Sequence, residues 1–228
     1  MRAGFRQVDL SAKPLYGRCA MTADPSRMRP LASGIVFGLA LASASAIHAQ
    51  TPDPAQAPVQ MLCDRLIANM KGGAQLGFSG RAAAIGPVVD RAFDLPLMTR
   101  LTIGPQWNTI GASDQSALVS AIRKLTVNQY AANFDSYDGQ RFTVDPKVEA
   151  RGADRLVRTS LIQRKDQPVA IGYRLRQSGN GWKIIDVYYQ NSISQLATRR
   201  SDFARVFQTG GAKALLKHLD DLANRAGH

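Results

Sequence analysis

Histidine and cysteine are scarce in this chain of 228 residues, and their scarcity excludes much chemistry. There are three histidines and two cysteines. His48 falls in an N-terminal segment described below and His228 is the last residue, so only His218 lies within a regular element. One helical histidine cannot supply a His-rich metal site, and leucines flank it as they flank ordinary, partly exposed helix positions. Cys63 and His218 are the only residues that would make a thiol nucleophile and its base, and nothing around either supports that pairing. Cys63 sits beside the apolar stripe of a helix and reads as a small buried hydrophobe. Cys19 precedes the long uncharged run, so it is no lipoprotein acceptor. The mature chain is then left with one cysteine and no internal disulfide, even in an oxidising compartment. No Gly-rich phosphate loop, HExxH or GxSxG is present. The expectation is a protein with no metal and no cofactor, and not an enzyme.

Aromatic residues make up 7% and are not interleaved with basic ones, against the pattern of single-strand nucleic-acid binding. The formal charge of +12 and pI near 10.2 fit nucleic acid, an anionic membrane surface or an acidic partner. Residues 1–49 hold six of the basic and two of the acidic residues; the remainder keeps 23 against 15, a balance of +8. A nucleic-acid-binding module fits the pI but not the export signal, so no nucleic-acid partner is expected.

Long apolar runs are also lacking, with one exception. Leu31 to Ala46 carries no charge, yet it is too short and too rich in Ala and Ser for a comfortable membrane span. Arg29 precedes it, and small residues follow at Ala44, Ala46 and Ala49. This is the form of a cleavable secretory signal peptide, cut after Ala46 or Ala49. Met28 is the alternative start to Met1. The expected organisation is an extension and signal over 1–49, a proline-rich lead-in over 50–58, and one domain over 59–225.

Within that domain, Val59, Leu62, Leu66, Ile67 and Met70 mark an amphipathic helix ending at Gly72-Gly73. A second helix runs from Gly80 to Phe93, with Pro87 weakening or kinking it. Asp94 caps a short helix through Leu97 and Leu101, which Gly104-Pro105 ends. Ser113 is expected to cap the longest helix, carrying Leu118, Ile122, Leu125, Tyr130 and Phe134. From Arg141 the texture becomes β: four strands, the first interrupted by Asp145-Pro146, the others at Leu156–Gln163, Val169–Gln177 and from Trp182. Short polar connections at 164–168 and 178–181 make them consecutive antiparallel hairpins. Gly210-Gly211 divides the remaining helical sequence in two. The class is α+β.

The stretch Gly181–Phe203 organises the rest. Its first half alternates as a strand, and after Asn191 the period becomes helical, through Ile193, Leu196, Ala197 and Phe203. Asp186 stands in the middle of the apolar strand. A small enzyme would place a general acid there. Otherwise the carboxylate is bonded to Arg, Tyr or backbone groups and fixes the sheet to the helices. Arg199 and Arg200 point in different directions, so they form no joint clamp. One pairs with Asp186 or another acid or contacts a phosphate, while the other faces solvent.

Trp182-x-x-x-Asp186-Val187, the turn Ser192-Ile193-Ser194, and Arg199 four residues before Phe203 together resemble the MlaC family of periplasmic phospholipid carriers, also called toluene-tolerance proteins. Gly104-x-x-Trp107 after the small helix is similar to the same family. Asn191–Ala197, with Arg199-Arg200 and Phe203, is similar to the branch associated with hopanoid biosynthesis. The resemblance spans Val59 to Leu222. It implies a strongly curved, NTF2-like four-stranded sheet roofed by helices around an apolar lipid cavity. It also implies transfer of phospholipid, or hopanoid, between an inner-membrane ABC transporter complex and an outer-membrane lipoprotein complex. The cavity wall is then expected from Leu97, Leu101, Leu125, Tyr130, Ile171, Tyr173, Val187 and Tyr189.

Overall fold

The computed structural model describes residues 51–179 and 181–227; the signal segment lies outside them. Four α-helices, a 3-10 helix over Gly104–Thr109 and six strands are present among the described residues. Their order is α1 (Gln56–Ala92), α2 (Leu95–Ile103), α3 (Ala112–Asn133), β1 (Arg141–Val144), β2 (Glu149–Arg151), β3 (Asp154–Ile162), β4 (Val169–Ser178), β5 (Gly181–Tyr189), β6 (Ile193–Ser194) and α4 (Gln195–Ala226). No helix of the described residues is long and apolar enough to cross a membrane.

The glycine pairs do break the helices. Residues 73 and 77 leave helical dihedrals within α1, and 210 and 211 do so within α4. Gly73 has φ of 36°, a region that side chains with a Cβ avoid. A buried arginine repairs the first break. Arg81 donates from Nη1 to Gly73 O at 2.8 Å and from Nε to Ala131 O at 2.8 Å, tying the two halves of α1 to the end of α3. Pro87 lies on the exposed side of α1 with helical dihedrals kept around it. Asp94 caps α2 as its sequence position suggests, accepting from Leu97 N at 3.1 Å. Ser113 does not cap α3. Gly111 holds the N-cap position without a side-chain bond, and Ser113 stands inside the first turn.

All connections in the sheet are antiparallel, in the order β1-β3-β4-β5-β6, with β2 also on β3. Six strands therefore replace the four expected. Asp145-Pro146 splits the first into β1 and β2, which pair with the two ends of one β3 edge, because proline has no N–H for the ladder. Ile193, expected in the helical stripe, and Ser194, expected in a turn, form β6 against Tyr189 and Tyr188. The sheet is also not strongly curled. β3 and β4 pair without interruption from Asp154 to Leu161, and the register shift between Arg174 and Leu175 is the irregularity where β4 meets β5; strong bending of a ladder calls for repeated bulges.

One face of the sheet carries apolar side chains toward the helices and the other is charged. On the charged face Asp154 is covered by two guanidinium groups rather than sunk in the core. Arg174 Nε donates to it at 2.6 Å and Arg176 Nε at 2.7 Å. These bonds, Arg176's foremost, hold the Asp154 carboxyl below the usual carboxylate range against the opposing effect of burial. A lowered folded pKa means stability that is present above the unfolded value, about 3.9, and lost as pH falls through the folded one. Asp154→Asn is expected to cost about 1–3 kcal/mol at neutral pH. The gap from wild type should close as urea melts are repeated at pH values below about 4.

The helical layer has its own core. Ile103, Ile110, Leu118, Ile122, Leu125, Phe203, Leu215, Leu219 and Ala223 are buried together, joined by Trp107, Phe207 and Leu222. It locks α2, α3 and both halves of α4 into one slab over the sheet.

Candidate functional site

The apolar face of the sheet is built by strand register. Ile171 lies opposite Tyr189 and Tyr173 opposite Val187; Val157 and Thr159 continue the face on β3, opposite Tyr173 and Ile171. Because side chains alternate along a strand, these partners share one side. The N-terminal end of α2 is anchored to the sheet by its backbone entry: Asp94 N donates to Ile184 O at 2.9 Å, and Phe93 bridges the same residue. Leu97 and Leu101 follow one turn apart on α2. From α3, the Tyr130 ring lies 6.0 Å from Phe93 and 6.0 Å from Phe134, which stands 6.2 Å from Phe142 on β1. An aromatic row thus runs from the start of α2 to the sheet edge.

The eight wall candidates divide by exposure. Leu97, Leu101, Tyr130, Val187 and Tyr189 are half-buried. Tyr173 at 1%, Ile171 at 8% and Leu125 at 1% are closed off, and Leu125 belongs to the core between α3 and α4. The open groove of about 420 Å³ between α3 and α4, lined by Ala121, Lys124 and Leu216 among others, is elsewhere.

Three ionisable side chains on these elements are held neutral. Burial pushes the Cys63 thiol up to about 12, with Asp64 adding to the effect. Burial likewise raises the Tyr130 and Tyr173 phenols, and the three groups influence one another electrostatically. A thiol so raised is no nucleophile at neutral pH. His218, its conceivable base, is engaged in the helical layer, 2.8 Å from Asp202 and edge-on to Phe203. The structure does not bring the two together.

Asp186 is spoken for. Its Oδ1 accepts from Val187 N at 2.8 Å and Leu196 N at 3.0 Å, and its Oδ2 from Ser194 Oγ at 2.6 Å. Ser194 Oγ in turn accepts from Ala197 N at 2.9 Å and caps α4. The carboxylate pins the end of β5 to the start of α4, leaving little capacity for a substrate proton. The two arginines diverge: Arg200 is exposed, its guanidinium against Gly104, whereas Arg199 turns inward and donates from Nη2 to Gln129 Oε1. Arg199 makes no ion pair with Asp186 among the described residues, although Asp186 acts on it at longer range. The sequence reading missed Gln129, Arg81 and the Asp154 clamp. Their partners lie 70, 50 and about 20 residues away, and no local spacing announces them. No group of three or more His, Cys, Asp or Glu among the described residues could hold a metal ion.

The arrangement defines an α+β domain in which a helical slab covers an apolar sheet face, with half-buried side chains along the boundary. The family model for MlaC protein matches residues 60–221, and the chain belongs to that family. A solved structure of the phospholipid-binding protein from Ralstonia solanacearum, in complex with a phospholipid, superimposes with a TM-score of 0.65 at 24% identity. It covers 77% of this chain and all of the other. No curated protein matches.

Proposed function

We propose that this protein is an exported carrier that binds phospholipid by burying its acyl chains between the helical slab and the apolar sheet face. The observation that supports the reading most directly is the solved relative of the same fold, which holds a phospholipid. A two-chain lipid carries roughly 30 methylenes at about 0.8 kcal/mol each. Moving it through water unprotected costs tens of kcal/mol by that estimate, so a carrier must enclose most of the chains. The half-buried side chains Leu97, Leu101, Tyr130, Val187 and Tyr189 are the surface it would offer. Finer parts of the proposal come from the family: location in the periplasm, an inner-membrane ABC transporter complex as one partner, and an outer-membrane lipoprotein complex as the other. Its cargo includes hopanoid if the Asn191–Ala197 wording carries the branch. Mass spectrometry of lipid extracted from protein purified from its native host tests the reading. Stoichiometric phospholipid or hopanoid is expected, and protein free of any lipid after detergent-free purification refutes it.

Export makes a separate prediction. Sequencing the N-terminus of protein from the native host should begin near Ile47 or Gln50. Cytosolic protein with residues 31–46 intact would sink it.

A further inference from the structure

On the sheet face turned away from the helical slab, acids are sunk and cations stand out. Strand register sets Asp154 between Arg151 on β2 and Arg176 on β4, and Leu156 between Glu149 and Arg174. Arg158 follows two residues along β3, and Arg141 lies on the same side at the β1 edge, opposite Ile162. Asp154 is buried beneath Arg174 and Arg176, which donate to it at 2.6 and 2.7 Å. Glu149 accepts from Arg158 Nε at 2.9 Å and, more loosely, from Arg151 Nη2 at 3.4 Å. Asp186, opposite Arg174 on β5, is buried and closed by its own three donors. Lys183, opposite Arg176, bends away to Asp90 O on α1. Six cations against three carboxylates leave this face at +3. The side chains of Arg151, Arg158, Arg174 and Arg176 are 32% to 51% exposed, so what the face presents outward is chiefly guanidinium.

We infer that this face is a docking surface for an acidic protein, whose Asp and Glu side chains meet the guanidinium groups of Arg151, Arg158, Arg174 and Arg176. A planar guanidinium with five N–H donors can keep one carboxylate beneath it and take a second from outside. Because Asp154 and Glu149 already hold these long side chains, little rotamer freedom is left to lose on binding. Residues two apart on a strand lie roughly 6.6 Å apart, close to the roughly 5–6 Å between successive turns of a helix. A folded partner therefore offers carboxylates at a matching, fixed spacing. A bilayer fits less well. Among the described residues the exposed large hydrophobic side chains are Leu76, Tyr137 and Ile193, and none lies on β1 to β4, so nothing on this face would enter the lipid. Such a contact forms by electrostatic steering and is sensitive to salt. It stands apart from the carrier reading, because these side chains point away from the helix-facing wall.

The test uses purified protein and three probes: fluorescent decaglutamate, an uncharged Ser/Gln decapeptide, and phosphatidylglycerol vesicles. Decaglutamate is expected to bind, with affinity falling at least tenfold between about 0.05 and 0.5 M salt, and the uncharged peptide is not. Amide NMR shifts on titration should centre on β2, β3 and β4. Arg141→Glu combined with Arg151→Glu reverses two exposed charges and spares the Asp154 clamp; it should weaken decaglutamate at least tenfold. Lys213→Glu with Arg225→Glu makes the same change in net charge at exposed positions of α4 and should weaken it less than threefold. Equal weakening by the two pairs overturns the inference, as do shifts centred elsewhere or no binding of decaglutamate. Should the first pair not fold, Arg141→Gln with Arg151→Gln and the wild-type shift map decide by the same criteria. If the Arg141 and Arg151 reversals abolish vesicle binding and leave decaglutamate binding intact, the occupant is a membrane and the acidic-protein assignment falls. Co-purified lipid should be equal in all variants, so failure here and failure of the carrier reading are scored separately.

Discussion

Val187→Gln is expected to strip the co-purifying lipid while moving the melting temperature of delipidated protein by only a few degrees. Val187 is half-buried on the helix-facing side of β5, directly across from Tyr173. An amide placed there has no partner among the apolar side chains around it, and burying such a group unpaired against acyl chains costs roughly 1–3 kcal/mol. Every 1.4 kcal/mol is tenfold in affinity, so binding should weaken by about tenfold or more. Without lipid the amide can stay hydrated through the accessible part of this half-buried position, so the fold loses little. Tyr173 gives the contrast. It was grouped with Val187 as wall, yet it is 1% exposed, and its truncation to Gln should cost on the order of 3 kcal/mol as a large core side chain lost. The melt should then fall by about 10 °C for a domain of this size. Lipid content per folded molecule and the melting curve, measured for both variants, separate the roles. Val187→Gln with a collapsed melt and lipid still bound would put Val187 in the ordinary core.

Asp186→Ala is expected to remove about 3–5 kcal/mol of stability, a large part of the roughly 5–15 kcal/mol a domain has. Three donors lose their acceptor at once: the backbone N–H groups of Val187 and Leu196 and the hydroxyl of Ser194. All sit at the junction where β5 hands over to α4, so the damage falls on the connection between sheet and helical slab. Asp186→Asn should be milder, because its carbonyl oxygen still accepts while its amide faces donors across the other bonds. Urea midpoints with unchanged slopes would measure both costs. If Asp186→Ala stayed within 1 kcal/mol of wild type, the clamp would not be structural. A fully stable Asp186→Asn that abolished a measurable turnover would make the residue an acid or base, and the protein an enzyme.

Much of the fold was legible in the sequence because it depends on near neighbours. Gly73 and Gly211 break helices through their own φ angles. Asp94 caps the turn it begins, and Asp145-Pro146 interrupts a strand because proline lacks a ladder donor. Alternation from Trp182 to Tyr189 and the change of period after Asn191 placed strand and helix, with errors at the boundary: Ile193 joined β6, a pairing that exists only once Tyr189 is in place beside it. The same locality let the direction of adjacent arginines be read, one inward and one out.

What tertiary structure alone decided is which inward side chains pack tightly and which keep accessible surface. Leu125 and Tyr130 lie on one helix, with nothing in their spacing to distinguish core from boundary; the positions of Phe203 and Leu219 close over the first and leave the second half-buried. Arg199 could have met Asp186, 13 residues before it, but Val187, Leu196 and Ser194 reach that carboxylate first and the guanidinium turns to Gln129 on α3. Composition and period determine which elements form and which face is apolar. Competition among distant partners for the same few acceptors determines which bonds a charged group makes, and the docking of slab on sheet determines which apolar side chains stay half-buried, because both depend on contacts that arise only when the chain has folded.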